Sequence, residues 1–167
     1  MLYFKKLSQD HISMGWLDWV ELAGKEAVTE FSRIPANRQE LEQILLNQSD
    51  NEIWLAVYKK EEDEQESYIG NVHISDIRWI DRKCTFGRLI SPKYRGKGLG
   101  TDLTKLIIKY CFQSLGMQKV SAGCLLPNVG AQKSNERAGM EKEAVLKKER
   151  FINGEYVDVI VYGAWNS

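Results

Sequence analysis

The stretch ISPKYRGKGLGTDLTKLIIKY, from Ile90 to Tyr110, narrows the choice of fold more than any other part of the chain. Gly96, Gly98 and Gly100 alternate with other residues, and the cations Arg95 and Lys97 stand among them. A strand pattern ends at Ile90. Beyond Gly100, Leu103, Leu106, Ile107, Tyr110 and Cys111 fall on one face of a helix. Glycine lets a ligand approach the backbone closely. The first N–H groups of a helix lack intrahelical acceptors, and the positive end of the helix dipole adds to their pull on an anion. A phosphate is the natural occupant. Two familiar phosphate loops are excluded. No string here reads Gly, four residues, Gly-Lys-Ser/Thr, and G-x-G-x-x-G fails because Thr101 stands where its third glycine belongs.

The rest of the chain reads as alternating elements. Leu2 to Leu7 predicts a strand, and Ile12, Trp16, Trp19 and Val20 recur at helical spacing. Asn37 with Glu40 forms a capping box ahead of Leu41, Ile44 and Leu45. Glu52 to Tyr58, Tyr68 to Ile77, Cys84 to Ile90 and Lys119 to Leu125 read as strands, and the charged run Lys59 to Glu66 as a solvated hairpin tip. A short helix covers Ala131 to Ala138, and two last strands flank the turn dipeptide Asn153–Gly154. No repeat, linker or internal boundary appears, so residues 1–167 are expected to form a single α/β domain, a mixed sheet covered by helices.

Charge and composition remove several functions. Lys plus Arg and Asp plus Glu number 23 each, so no net field gathers nucleic acid. No apolar run approaches a membrane span, and MLYFKKLSQDH turns polar after four residues, unlike a secretory leader. Cys84, Cys111 and Cys124 are odd in number and widely spaced, which predicts no disulfide framework and a cytoplasmic home. His11, His73 and the cysteines lack metal-ligand spacing, so no metal is expected.

The strand ending LISPKY, the loop RGKGLG and the helix after it resemble the acetyl-coenzyme A motif of the GCN5-related N-acetyltransferases (GNAT). That signature, Arg/Gln-x-x-Gly-x-Gly/Ala, is matched by Arg95, Gly98 and Gly100. A second signature, an Asn followed eleven residues later by Gly and an apolar residue, is matched by Asn128, Gly139 and Met140. RFINGEYVDVIVYG is similar to the closing hairpin of the ribosomal-protein and amino-sugar (RimJ/RimL-like) branch. The resemblance implies a mixed, mostly antiparallel sheet of about seven strands, splayed between the fourth and fifth, with about four helices. It also implies acetyl-CoA as co-substrate in the gap. Backbone near Arg88 and Ile90 would pair with the pantetheine arm. Arg95, Gly96, Lys97, Gly98, Leu99, Gly100 and Thr101 would hold the pyrophosphate, and Asn128 would bond the pantetheine from the far side.

The implied reaction is attack by a neutral primary amine on the thioester, which needs a base, an oxyanion donor and a proton or hydrogen bond for the thiolate. The usual acids of the family are absent: Asn135 stands at the Tyr position and Ala131 at the Ser position. Ser134 is adjacent but offset, and is the candidate acid. His73 shares one strand face with Asn71 and Ser75 and is the candidate base, with Asp76 and Asp81 behind it. The segment from Asp10 to Gln48 should wall the acceptor pocket, with Trp16, Trp19 and Phe31 as stacking or core residues. Within the family, YIGNVHISDIRWIDRKCTFG and NGEYVDV look most like enzymes acetylating amino-sugar nucleotides or similar small amines. Protein N-terminal acetylation and a catalytically silent CoA-binding module are the alternatives, and a homodimer stays open as the assembly.

All three cysteines lie in apolar patterns, which predicts direct transfer in a ternary complex rather than an acyl-enzyme. Replacing each Cys by Ala or Ser should leave the chemical step within about tenfold. Ping-pong kinetics, or an acetyl-Cys trapped by mass spectrometry, would refute it.

Overall fold

The computed structural model describes residues 1–26 and 37–167. Seven strands form one sheet: β1 (Leu2–Lys6), β2 (Ile53–Lys60), β3 (Glu66–Arg78), β4 (Lys83–Ile90), β5 (Lys119–Leu125), β6 (Glu141–Ile152) and β7 (Glu155–Trp165). Their spatial order is β1-β2-β3-β4-β5-β7-β6. β4 and β5 run parallel, and the other neighbouring pairs run antiparallel. Helices α1 (Leu17–Glu26), α2 (Arg38–Leu46), α3 (Leu99–Gln113) and α4 (Val129–Arg137) complete the mixed α/β fold expected from the sequence.

Strand alternation divides the apolar residues between two separate cores. Leu55, Val57, Val72, Ile74 and Phe86 point to one face, where Leu103, Ile107 and Cys111 of α3 cover them. Trp54, Ala56, Tyr58 and Leu89 point to the other, beneath Trp16 and the α1 residues Trp19, Val20 and Ala23, with Leu41 of α2. Trp16 and Trp19 therefore belong to the core. Phe31 lies outside the described residues.

Local chemistry explains most boundaries. Asn37 Oδ1 accepts from the Glu40 N–H at 3.0 Å and a Glu40 carboxylate oxygen accepts from the Asn37 N–H at 3.2 Å, closing the capping box that starts α2. The charged run is tighter than expected: β2 continues to Lys60 and β3 begins at Glu66, so five residues form the tip. Asp158 stabilises a bulge in β6, where its carboxylate accepts from the Lys148 N–H at 2.8 Å and pairs with Lys147 at 3.1 Å. Those two partners hold its carboxyl below the usual range.

The entry to α1 departs from a simple amphipathic helix. A π turn spans Ile12–Trp16, and Gly15 within it has φ 143°. A Cβ at Gly15 would sit 2.8 Å from the Trp19 ring. Gly15→Ala should therefore lower stability by about 1–3 kcal/mol through strain and displacement of Trp19. Urea unfolding measures this, and an unchanged midpoint and slope would contradict it.

Candidate active site

The splay between β4 and β5 is visible in the pairing. Three residue pairs join them: Lys83 with Lys119, Cys84 with Val120 and Thr85 with Ser121. β4 then runs on to Ile90 and β5 to Leu125 without pairing to each other. Backbone groups of both strands that would have completed the ladder border a wedge between them. α3 begins beside the end of β4, after a single 3-10 turn over Pro92–Tyr94.

The glycine loop between them is built for backbone contact. Gly96 and Gly98 have φ of 73° and 78°, and a Cβ at either would meet nothing within 4 Å. The space over them is open, and the left-handed backbone holds Gly98 as the N-cap of α3. The Arg95 Nε–H donates to the Ile90 carbonyl at 3.1 Å and so ties the loop back to β4. Gly100 serves close packing instead, since a Cβ there would come within 2.6 Å of Ser134 Oγ and α4 lies against the first turn of α3. Ser134 accordingly sits beside the loop. Leu99 and Thr101 lie in that same first turn, with Lys97 just before it.

Asn128 caps α4, its Oδ1 accepting from the Ala131 N–H at 3.1 Å. One lone pair of that oxygen is thereby used, and its Nδ2 is a donor it can offer a ligand. Asn135, at the position the resemblance associates with a Tyr, is buried at 1% exposure. Its Oδ1 accepts from Arg88 Nη1 at 3.0 Å, while Arg88 Nη2 donates to the Ala131 carbonyl at 3.4 Å. The Nδ2 of Asn135 is buried without a hydrogen-bond partner among the described residues. Loss of solvation pulls Arg88 down to about 10, which still leaves it charged at neutral pH.

His73 lies on the opposite face of the sheet. It pairs with Trp54 in β2 and with Gly87 in β4. Its ring stacks on Trp54 at 4.0 Å and 10°, and its Nε2 is 2.8 Å from a Glu52 carboxylate oxygen. A carboxylate can only accept, so Nε2 carries the hydrogen and a neutral ring presents Nδ1 as a lone pair. A Cβ on Gly87 would meet nothing within 4 Å, so open space adjoins the imidazole. Glu52 is the residue that sequence reasoning missed. It stands 21 positions from His73, and only the β2–β3 register brings them together. Asp76 and Asp81 are both ion-paired with Arg78 on the exposed β3–β4 turn. His11 is buried beneath α1, taking the Ser8 N–H on Nδ1 at 3.0 Å with Tyr58 OH at 3.1 Å from Nε2, and burial lowers its pKa. The three cysteines are buried. Among the described residues no His, Cys, Asp and Glu side chains group as three or more metal ligands, and no helix is long and apolar enough to cross a membrane.

A family model described as an acetyltransferase (GNAT) domain matches residues 3–141. The chain belongs to the GNAT acetyltransferases. The spermidine N(1)-acetyltransferase of Vibrio cholerae is 35% identical over 98 residues, covering 59% of this chain and 57% of that protein. Its Escherichia coli K12 counterpart is 35% identical over 91 residues, 54% of this chain and 49% of that protein. The chain thus spans about half the length of the curated relatives it matches. A crystal structure of the Vibrio cholerae enzyme in complex with CoA and spermine superposes with a TM-score of 0.84 over 98% of this chain and 95% of that one, at 23% identity. At that identity the likeness speaks for the GNAT fold.

In this GNAT frame the loop is the most direct target. Gly98→Val should weaken acetyl-CoA binding severely, because Val resists the left-handed backbone and fills the open space over the loop. Calorimetric titration is the measurement, and undiminished affinity in a folded variant would take the loop out of the site.

Proposed function

We propose that this chain is an acetyl-CoA-dependent N-acetyltransferase in which a primary amine attacks the thioester directly in a ternary complex, and that the amine is a polyamine. The observation that carries the reading is the three-pair β4–β5 ladder opening onto the glycine loop. Acetyl-CoA would lie in the wedge. Backbone near Arg88 and Ile90 would pair with its pantetheine, Asn128 Nδ2 would meet it from the other side, and Arg95 to Thr101 would take the pyrophosphate. The open space over Gly96 and Gly98 fits this placement.

The acceptor would enter over Gly87, on the α1 and α2 side. Glu52 holds the His73 imidazole by Nε2, so Nδ1 can accept the ammonium proton, directly or through a water. A backbone N–H on the unpaired part of β4 would meet the oxyanion. Support for a polyamine comes from the relatives, two of which are named as spermidine N(1)-acetyltransferases. The Glu52 carboxylate beside His73 agrees with a cationic acceptor. A polyamine therefore precedes amino-sugar nucleotides as the acceptor to test, and the polyamine branch of the family precedes the ribosomal-protein and amino-sugar branch. We also propose that residues 1–167 act as one domain and that copies self-associate, as the Vibrio cholerae enzyme does in its dodecameric structure.

Thiol release from acetyl-CoA with spermidine, spermine, amino-sugar nucleotides and N-terminal peptides tests the acceptor. Turnover with the polyamines is expected. Turnover confined to sugars or peptides would replace the acceptor, and acetyl-CoA binding without any turnover would make the chain a binding module. For the base, His73→Ala should lower the rate at neutral pH by about 10²-fold or more and regain part of it at high pH, where free amine is abundant. Acetyl-CoA affinity should hardly change. Normal turnover per folded molecule would assign His73 to structure alone.

A further inference from the structure

Arg88 is a cation in a place where cations are costly. Its guanidinium leaves β4 beyond the last residue pair with β5 and reaches α4. Its hydrogen-bond partners, Asn135 Oδ1 and the Ala131 carbonyl, are both neutral. The Phe86 ring lies 5.7 Å below it. Among the described residues no carboxylate forms an ion pair with it. Arg88 is half-buried, and a charge drawn partly out of water without a counterion carries a penalty that a bound anion would relieve. The neighbouring Asn135 Nδ2 is buried and unpaired as well. Two groups on two elements therefore present unanswered hydrogen-bond donors at one point, beside the wedge.

We propose that Arg88, held by Asn135, receives the CoA thiolate and so takes the part of the absent general acid. This rests on the acetyltransferase reading above. Attack forms the C–N bond. Collapse of the tetrahedral intermediate breaks the C–S bond, and its electron pair goes to sulfur. The amine's proton leaves through His73. The guanidinium keeps its own proton and stabilises the sulfur anion by charge and hydrogen bonding. The sheet geometry suits this division. His73 pairs with Gly87 on one face of β4, and Arg88 projects with Val72 to the other. A thioester in the wedge would thus meet the base from one side and the cation from the other. Ser134 packs against Gly100 near the loop and is left to position α4.

Other titratable groups stand near Arg88. The Cys124 thiol of β5 interacts electrostatically with it, and burial raises that thiol to about 11. Glu136 of α4 stands behind it and accepts a hydrogen bond from Tyr162 OH of β7 at 2.9 Å. Burial also raises the Tyr162 phenol, to about 12.

The test compares binding of CoA with that of desulfo-CoA, which lacks the sulfur, by calorimetry between about pH 7 and pH 9, across the range where an unperturbed thiol titrates. In the unmodified protein CoA should gain on desulfo-CoA by about sixfold across that range, as a thiol pKa lowered from about 8.5 to about 7.5 on binding requires. Arg88→Gln should erase the gain while leaving desulfo-CoA affinity in place, and Arg88→Lys should keep part of it. The kcat of Arg88→Gln should fall by about 10²-fold or more with little change in the KM for acetyl-CoA. A purely structural Arg88 would change both ligands equally. If Arg88→Gln does not fold, the unmodified protein decides: a constant CoA to desulfo-CoA ratio overturns the proposal while the acetyltransferase reading stands. If neither ligand binds, both fall.

Discussion

Three residue pairs hold β4 to β5, and the rest of the molecule is arranged around the place where that ladder stops. A parallel ladder that ends early leaves backbone donors and acceptors facing a gap, and such groups are expensive unless something pairs with them. The surrounding structure keeps the gap open. Arg95 ties the glycine loop to the end of β4, and Arg88 ties β4 to α4. The antiparallel β5–β7 ladder, seven pairs long, fixes β5 from the other side.

What was legible in the sequence was local. The glycine loop and the helix behind it were readable because a left-handed N-cap and a close backbone approach leave few residue choices. The start of α2 was readable because a capping box needs two residues three apart. The strands followed from alternation. The π turn before α1 was not readable, because the Gly15 conformation answers to the ring of Trp19, a packing fact rather than a pattern.

The candidate site was legible in halves. His73 could be singled out by its strand face. Glu52 and Trp54, which hold and stack its ring, required the β2–β3 register. Asn135 read as a missing acid because the sequence showed only the absence of Tyr. Its bond to Arg88 spans 47 residues and the mouth of the wedge, and no spacing along the chain announces it. The two proposed sides of the chemistry thus depend on contacts distant in sequence, whereas the glycine loop is contiguous.

The two cores share the sheet but little else. Leu103, Ile107 and Cys111 support the face under α3; Trp16, Trp19 and Leu41 support the opposite face, where the acceptor is proposed to bind. Substitutions that are far apart and share no partners tend to add rather than interfere. A lineage carrying this fold can therefore rework α1 and α2, the proposed acceptor side, without re-solving the wedge proposed to hold the thioester. Substrate range becomes the freely drifting trait and donor choice the inherited one. Diversification within such a family is then expected to accumulate in the first fifty residues, on the far side of the sheet from α3.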